Sequence, residues 1–178
     1  MAHPSQRKWC EDTRALYENS FVGKRVLDVG SLDINGNNKD LFENCEYVGI
    51  DVGEGKNVDV VALGHEYDAE PFDTIISTEC FEHDPHYEKT LQNVVRLLKP
   101  NGLFVFTCAT TGRLPHGCEQ RSPWDSPLTM ARKDWDHSYY KNITEEDVRK
   151  AIPVDETFSE YVFDVNGTDL RFYGKKKQ

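Results

Sequence analysis

Two segments in the first third of the chain carry residue types that suit nucleoside binding. Residues 25–30 read Arg-Val-Leu-Asp-Val-Gly, an apolar run that leads into a turn rich in Gly, Ser, Asp and Asn up to Gly36. Residues 47–51 read Tyr-Val-Gly-Ile-Asp, a second apolar run that ends in a carboxylate. A glycine turn lets the backbone approach a ligand, and a carboxylate at a strand end accepts hydrogen bonds from ribose hydroxyls. The order of apolar run, glycine turn, second apolar run and carboxylate therefore predicts a nucleoside site in which Asp51 binds the ribose.

The spacing of the glycines separates two kinds of nucleoside ligand. A dinucleotide fingerprint needs glycines at positions 30, 32 and 35, but the chain has Gly30, Leu32 and Asn35 there. Leu32 would crowd a pyrophosphate lying on the turn, so NAD and FAD are disfavoured. Asp28 and Gly30 match the start of motif I of class I methyltransferases, and Gly36 supplies flexibility slightly later. A tight turn that binds nothing stays open as an alternative.

Strands and helices are predicted to alternate along the chain and to position these residues. Apolar runs predict the strands, and apolar residues at helical spacing predict the helices. The predicted strands are residues 26–29, 47–51, 58–61, 72–77 and 103–107, and the predicted helices are residues 6–20, 38–43, 84–98 and one that begins with a capping box at 144–147. This alternation implies a mainly parallel sheet with ligands at the carboxyl ends of its strands. Asn166-Gly167 between two apolar-rich runs predicts a final antiparallel hairpin,.

Residues 108–141 lose this pattern but hold many aromatic and basic side chains. The aromatics argue against disorder, and a long irregular segment in a compact domain is usually functional. We expect this segment to cover the acceptor, because selectivity tends to lie on loops held by a rigid sheet. Its predicted acceptor-binding residues are Arg113, His116, Tyr139 and Tyr140.

Composition and charge bound the class of protein. The chain has 178 residues, is 38% hydrophobic and carries a formal net charge of −10, as expected of one soluble globular domain,. An acidic surface repels phosphate backbones, so nucleic acid is not expected as a partner. With no apolar run long enough to span a bilayer and no signal sequence, we expect no membrane association. The five cysteines are scattered without a CxxC pair, which favours reduced thiols in a cytoplasmic protein,.

Six segments match one enzyme family in order. They are VLDVGSLDING, YVGID, VDVVALGHE, FDTIISTECFEHDP, RLLKPNG and LFVFT, and they cover about residues 22–110. Each motif alone is weak, but the ordered set resembles the class I S-adenosylmethionine-dependent methyltransferases of the type 11 group. A later stretch, YYKNITEEDV, is similar to the late helix of that group.

The resemblance implies an α/β fold, a Rossmann-like three-layer sandwich with a mainly parallel seven-stranded sheet and a C-terminal antiparallel hairpin. One methyltransferase-like domain is expected over the chain, as a monomer or weak homodimer with a small-molecule acceptor. Its expected parts are an N-terminal helix (1–21), a cofactor-binding core (22–107), an acceptor-side insert (108–142) and a helix with the terminal hairpin (143–178). The first helix is expected either to cover the nucleoside pocket or to pack on the sheet.

The resemblance also implies S-adenosylmethionine as the cofactor. The residues that it assigns to cofactor binding are Asp28, Gly30, Ser31, Asn35, Gly36, Asp51, Val52, Ala62, Leu63, Thr78 and Glu79. The turn from Gly30 would lie against the methionine part, with Asp28 supporting the turn or contacting the amino group. Asp51 would hold the ribose. Val52 and Leu63 would flank the adenine, and residues 78–79 would lie beneath the sulfonium. A turn role for Asp51 and a helix cap at position 78 stay open.

A methyl acceptor that reacts through oxygen or nitrogen often needs a base. His83 is the candidate catalytic residue, because it follows the fourth strand and an imidazole titrates near neutral pH. The alternative is that Glu82-His83 caps the next helix. A metal site is a rival interpretation of His83, Asp84, His86, His116 and Cys118. Their spacing fits no familiar ligand pattern, so no metal is predicted.

Three functional classes follow from these residues. Methyl transfer to a small-molecule or sugar-like acceptor is favoured. A nicotinamide-dependent oxidoreductase is disfavoured by Leu32 and by the reversed final strand. A non-catalytic binding protein that keeps the methyltransferase fold stays open, because the glycine turn is degenerate. Leu63 also stands where many relatives carry an acid.

Overall fold

The computed structural model describes residues 4–178. The strands are β1 Arg25–Val29, β2 Glu46–Asp51, β3 Val60–Val61, β4 Phe72–Thr78, β5 Leu98–Ala109, β6 Phe158–Asn166 and β7 Asp169–Lys176. The α-helices are α1 Pro4–Leu16, α2 Tyr87–Leu97, α3 Pro127–Ala131, α4 Glu145–Ala151 and α5 Val154–Thr157. Short 3-10 helices lie at Glu18–Ser20, Lys39–Leu41, Phe81–His83 and Pro123–Asp125. Within residues 4–178, no helix is long and apolar enough to cross a membrane.

The strands form one seven-stranded sheet in the order β3-β2-β1-β4-β5-β7-β6. The pairs among β1 to β5 are all parallel. β7 runs antiparallel to both β5 and β6, and Asn166 pairs with Asp169 across a turn in which Gly167 has φ +63°. The predicted fold, a mainly parallel seven-stranded sheet with a C-terminal antiparallel hairpin, is confirmed.

Helices bury both faces of the sheet. On one face, Leu27, Ile75 and Phe104 belong to a core cluster that also contains Leu91 of α2 and Val148 of α4. On the other face, residues of β1, β4 and β5 pack in a second cluster with Cys10 of α1. Successive side chains of a strand point to opposite faces, so a strand covered on both sides needs a continuous apolar run. This explains why the central strands lack an alternating pattern.

Several elements have bounds that differ from those predicted, α3 and α5 were not predicted, and three of the differences have a clear physical reason. β5 begins at Leu98 instead of 103, because Leu98 already pairs with Phe72 before the chain bends through a left-handed Asn101. β3 is limited to two residues, since it lies at the sheet edge and pairs with β2 alone. The predicted helix at 38–43 is a 3-10 helix, because its three residues bury only Leu41,.

The first turn of α4 contains the predicted capping box. The Thr144 Oγ1 accepts a hydrogen bond from the backbone N–H of Asp147 at 3.2 Å, and the Asp147 Oδ2 accepts one from the backbone N–H of Thr144 at 2.9 Å. Two N–H groups that a helix leaves without intrahelical partners are thereby satisfied. The predicted start of this helix is confirmed.

Replacing the capping side chain should destabilise the fold measurably. Thr144→Ala is expected to lower the free energy of unfolding by about 1 kcal/mol, the usual cost of losing an N-cap hydrogen bond. Urea denaturation followed by circular dichroism measures this loss. Thr111→Ala makes the same change at an exposed position and should change stability by less than about 0.5 kcal/mol,. Equal losses in the two variants would contradict a stabilising cap.

Candidate functional site

The carboxyl ends of β1, β2 and β4 open into a cavity that is walled by the loops after these strands. We call it the first cavity. Gly30 and Leu32 line it from the turn after β1, Asp51 and Val52 from the end of β2, and residues 62–65 from the loop after β3. In the sheet, β1 lies between β2 and β4, and the chain runs from β1 to one side before it returns to β4 on the other. The loops after these parallel strands therefore lie together at one edge of the sheet,.

Asp51 is held in a fixed orientation at the wall of the first cavity. Its Oδ2 accepts a hydrogen bond from the backbone N–H of Leu32 at 3.0 Å, and its Oδ1 accepts one from the backbone N–H of Val52 at 2.7 Å. Burial raises the pKa of the Asp51 carboxyl, while these two donors act in the opposite direction. Each carboxylate oxygen has a further lone pair, so Asp51 can accept two hydroxyl donors from a ligand without losing its support.

Gly30 brings the first turn into contact with the end of β4. Its φ is +79°, and a Cβ added there would lie 2.6 Å from both the Cβ and the Sγ of Cys80. Both the left-handed backbone and the missing side chain are therefore needed at this position. Gly36 also has a positive φ, +112°, but no atom lies within 4 Å of a Cβ added there. Its glycine is needed for backbone conformation alone.

The residues predicted to bind the cofactor fall into two groups in the structure, those that line the first cavity and those that do not. Those that line the first cavity are Gly30, Asp51, Val52, Ala62, Leu63 and Glu79. Those outside its lining are Asp28, Ser31, Asn35, Gly36 and Thr78. Asp28 lies beneath the turn, where its carboxylate accepts a hydrogen bond from the Tyr47 hydroxyl at 2.6 Å, and Thr78 accepts one from Asn38 at 3.4 Å. These two side chains support the loops of the site.

The segment predicted to cover only the acceptor also covers the first cavity. Residues 125–129 and Trp135 line it, and Leu128 lies 3.0 Å from a Cβ added at Gly53, in the loop after β2. No described residue of α1 lines the cavity. Instead, Trp9 of α1 stacks on Tyr173 of β7, so the alternative in which the first helix packs on the sheet is the one observed. The sequence signal for this cover was the group of aromatic residues in an otherwise irregular segment.

The first cavity is acidic. Four carboxylic acids line it, namely Asp51, Glu79, Asp84 and Asp125, and the described residues in its lining include no lysine or arginine. Its remaining walls are largely apolar, with Leu32, Ile34, Val52, Leu63, Leu128 and Trp135. A ligand that suits this cavity has a flat apolar part, hydroxyl donors and positive charge, whereas a pyrophosphate would meet four acids and no lysine or arginine among the described lining residues.

A second cavity adjoins the first, on the side of the loop after β5. It is lined by residues 112–116, Arg121 and Thr168. Glu79, His83 and Asp125 line both cavities. A group held in the second cavity can therefore reach a group held in the first past these three side chains.

His83 lies in the 3-10 helix after β4, at the boundary between the two cavities. Its ring is 4.9 Å from that of His116 and 5.7 Å from that of Tyr140, measured between centroids. Burial lowers the pKa of His83 to about 3, so the imidazole is neutral at physiological pH. Its Nδ1 is buried and has no hydrogen-bond partner within the described chain. Tyr139 lies apart, in a surface depression beside Tyr87.

Three buried acids surround the end of β4, and one cation faces them. The guanidinium of Arg113 is 3.3 Å from an oxygen of Glu79 and 3.6 Å from one of Asp169. Burial raises the pKa of Glu79 well above its usual range, and the charges of Glu82 and Asp169 add to this. Burial also raises the pKa of Glu82. Arg113 was predicted to bind the acceptor, but its guanidinium is engaged by these acids.

The comparison with protein families identifies the chain. The profile of a family described as "Methyltransferase domain" matches residues 1–145. The chain belongs to this family. Its fold is that of the class I S-adenosylmethionine-dependent methyltransferases, as predicted, while the type 11 subgroup stays a prediction. No curated protein sequence gives a significant match.

Solved methyltransferase structures share the fold at low sequence identity. The 1,6-didemethyltoxoflavin-N1-methyltransferase of Burkholderia thailandensis has 16% identity and a TM-score of 0.63, over 96% of this chain and 78% of that one. The N-methyltransferase NodS of Bradyrhizobium japonicum has 17% identity and a TM-score of 0.61, over 99% and 89%. Phosphoethanolamine N-methyltransferase 2 of Haemonchus contortus has 17% and 0.60, over 96% and 53%. The first two were crystallised with S-adenosylhomocysteine, and the third with S-adenosylhomocysteine and phosphomonomethylethanolamine.

The two glycines of the first turn offer a matched test of the close contact with β4. Gly30→Ala adds a methyl group that meets Cys80, whereas Gly36→Ala adds one to open space, both at a positive φ. We expect Gly30→Ala to lose about 1–3 kcal/mol more stability than Gly36→Ala, because overpacking adds to backbone strain. Urea denaturation of both variants measures the difference. Equal losses would show that the turn does not press on β4.

Asp28 should make stability depend on pH. Burial raises its pKa from 3.8 to about 6, so the folded protein holds the proton to higher pH than the unfolded chain does. Asp28 therefore favours the fold below about pH 4, and this contribution is lost as the pH rises through about 6,. A shift of this size corresponds to about 3 kcal/mol.

The variant Asp28→Asn lacks this titration. Relative to the wild type, it is expected to gain about 2–3 kcal/mol in the free energy of unfolding between pH 4 and pH 7. Urea denaturation at the two pH values measures the gain. Asp12→Asn, the same change at a side chain that is 56% exposed, should show no such gain. If the stability of Asp28→Asn keeps the pH dependence of the wild type, the carboxyl does not titrate as stated.

Proposed function

We propose that this protein transfers a methyl group from S-adenosylmethionine to a small-molecule acceptor. The observation that carries the proposal is the acidic, apolar-walled first cavity at the carboxyl ends of β1, β2 and β4. S-adenosylmethionine supplies, when bound, a methyl group already activated on a sulfonium. The family membership and the methyltransferase structures that share the fold support the same activity.

The side chains of the first cavity fit this cofactor from one end to the other. Asp51 would accept hydrogen bonds from the ribose hydroxyls, because its carboxylate faces the cavity with unused lone pairs. Val52 and Leu63 would pack on the adenine, with Leu128 of α3 closing over it. Glu79 would face the cationic end, and a positive charge there would favour the ionised form of this buried acid.

The second cavity would receive the acceptor. His83 and Glu79 line both cavities, so an acceptor atom beside them is close to the methyl group. Methyl transfer needs in-line placement and exclusion of water more than it needs chemical activation. The role of His83 as a general base stays a prediction. Its Nδ1 is free to accept a proton within the described chain, but burial lowers its pKa to about 3, which makes it a weak base,. The relatives in the solved structures act on small molecules, in keeping with such an acceptor.

The two other functional classes have less support. A nicotinamide cofactor carries a pyrophosphate, and the first cavity offers it acids and no lysine or arginine among the described residues that line it. A non-catalytic protein would keep the fold without the site, but Asp51 keeps a geometry that its two backbone donors enforce.

Calorimetric titration tests the cofactor assignment directly. We expect micromolar binding of S-adenosylhomocysteine and no binding of NAD at neutral pH. Asp51→Asn should weaken binding of S-adenosylhomocysteine by about 10- to 100-fold, since a hydrogen bond to a charged group contributes about 1.5–3 kcal/mol. Glu54→Gln, the same loss of charge at an exposed position after β2, should bind as the wild type does. Unchanged affinity in Asp51→Asn would refute the ribose assignment, and no binding of either compound would refute the cofactor.

A further inference from the structure

Glu82, His83 and His116 converge at the edge of the second cavity. One ligand atom from each, a carboxylate oxygen or an imidazole nitrogen, lies within 4.8 Å of the other two. Glu82 and His83 are neighbours in the 3-10 helix after β4, while His116 comes from the segment after β5. The linear spacing that argued against a metal does not reveal this grouping, because folding brings positions 83 and 116 together.

Two of the donor atoms in this cluster have no partner. The Oε1 of Glu82 accepts a hydrogen bond from the backbone N–H of Ala109 at 3.1 Å. Its Oε2 and the Nδ1 of His83 are buried and receive no hydrogen bond from an N–H or hydroxyl group of the described chain. The neighbouring carboxyl of Glu79 can donate to Glu82 only when it is protonated. Glu82 is 0% and His83 8% exposed. A buried polar atom without a partner is costly and calls for an explanation such as a bound ion.

The backbone near His116 is shaped to let the cluster form. Gly117 has φ +59°, and a Cβ added there would lie 2.6 Å from the Cε1 of His83. Only glycine allows the segment to lie this close to the imidazole of His83. The close approach places His116 against His83, with the two rings at an interplanar angle of 88°.

The charges around the cluster favour a cation. Glu79, Glu82 and Asp169 have buried carboxyl groups. Arg113 forms ion pairs with Glu79 and with Asp169. Glu82 itself makes no ion pair in the described chain. A divalent ion next to Glu82 would balance the remaining negative charge.

We propose that Glu82, His83 and His116 bind one divalent transition-metal ion. Imidazole nitrogens suit zinc and its neighbours in the first transition row, and two histidines with one glutamate form a known type of catalytic site. Three protein ligands leave a coordination position open. Because His83 and His116 line the second cavity, that position faces the acceptor.

The metal site would select an acceptor with an oxygen donor. This part of the proposal rests on the proposed methyl transfer. The ion would hold an acceptor oxygen beside His83, at the boundary between the two cavities. In this arrangement the His83 imidazole is a ligand and does not serve as the free base that the sequence predicts. The hydroxyl of Tyr140 is buried and has no hydrogen-bond partner in the described chain, and the Tyr140 ring lies 5.1 Å from that of His116 between centroids. This hydroxyl would add a donor for the same oxygen.

Competition with a chromogenic chelator measures the affinity for Zn²⁺ alone. We expect one tight site per chain in the wild type. Glu82→Gln and His116→Ala should each weaken it by more than about 100-fold, because even the outer partners of metal ligands contribute 10- to 100-fold. His86→Ala, which removes an exposed imidazole outside the cluster, should bind as the wild type does. Visible absorption of a Co²⁺-loaded sample should show nitrogen and oxygen coordination that is lost in His116→Ala.

The outcomes separate this proposal from the proposed function. Circular dichroism checks that each variant is folded. If Glu82→Gln does not fold, His116→Ala alone tests the metal site, because His116 is only partly buried. Zn²⁺ affinity in folded His116→Ala equal to that of the wild type would overturn the metal site. Absence of any tight site in the wild type would do the same. Binding of S-adenosylhomocysteine to metal-free protein is expected in every case, and its loss would count against the proposed function alone.

Discussion

The position of β1 between β2 and β4 is the constraint on which the site depends. The chain leaves β1 toward one side of the sheet and returns through β4 on the other, which opens a crevice at their carboxyl ends,. Gly30 lies in that crevice with its backbone against Cys80, and Asp51 ties the turn to β2 through two backbone donors. Every other feature of the first cavity is arranged around these two short-range contacts.

Burial of acids gives the site its character. Asp51 and Glu79 line the first cavity, and burial raises the pKa of each, which means that their ionised forms carry a cost in free energy,. The acidic net charge of the whole chain therefore has a local counterpart in buried acids at the cavity where we propose that the cationic cofactor binds,.

One segment forms walls of both cavities. Arg113 and His116 line the second cavity, Leu128 and Trp135 line the first, and Asp125 lines both. The rigid sheet positions only the floor of the site, and this single irregular stretch supplies the cover. Because the same segment forms walls of both cavities, a ligand bound in one cavity would affect the geometry of the other.

Much of the fold followed from the sequence because its signals are local. Apolar runs, helical spacing and the capping box at Thr144 depend on residues that are neighbours in the chain. The seven strands and the helices α1, α2 and α4 were predicted from them, whereas the helix predicted at 38–43 is a 3-10 helix. Bounds that depend on pairing were missed, as at Leu98, which becomes part of β5 only because Phe72 lies opposite. Asp51 was identified as a potential ligand group because a carboxylate at a strand end beside a glycine turn can accept hydrogen bonds from ribose hydroxyls,.

The remaining site residues were decided by the tertiary structure. Glu82 and His116 are separated by 33 intervening positions, and no periodicity relates them. Their meeting depends on Gly117 passing against His83. Likewise, the sequence left open whether Asp28 supports the turn or contacts the amino group of the cofactor, and packing turns its carboxylate toward Tyr47 beneath the turn. The sequence alone determined the order of the strands and of the main helices along the chain, since apolar runs, helical spacing and turns are set by local chemistry. Only the assembled sheet and its cover decided which polar groups are buried together, because burial and proximity are properties of packing.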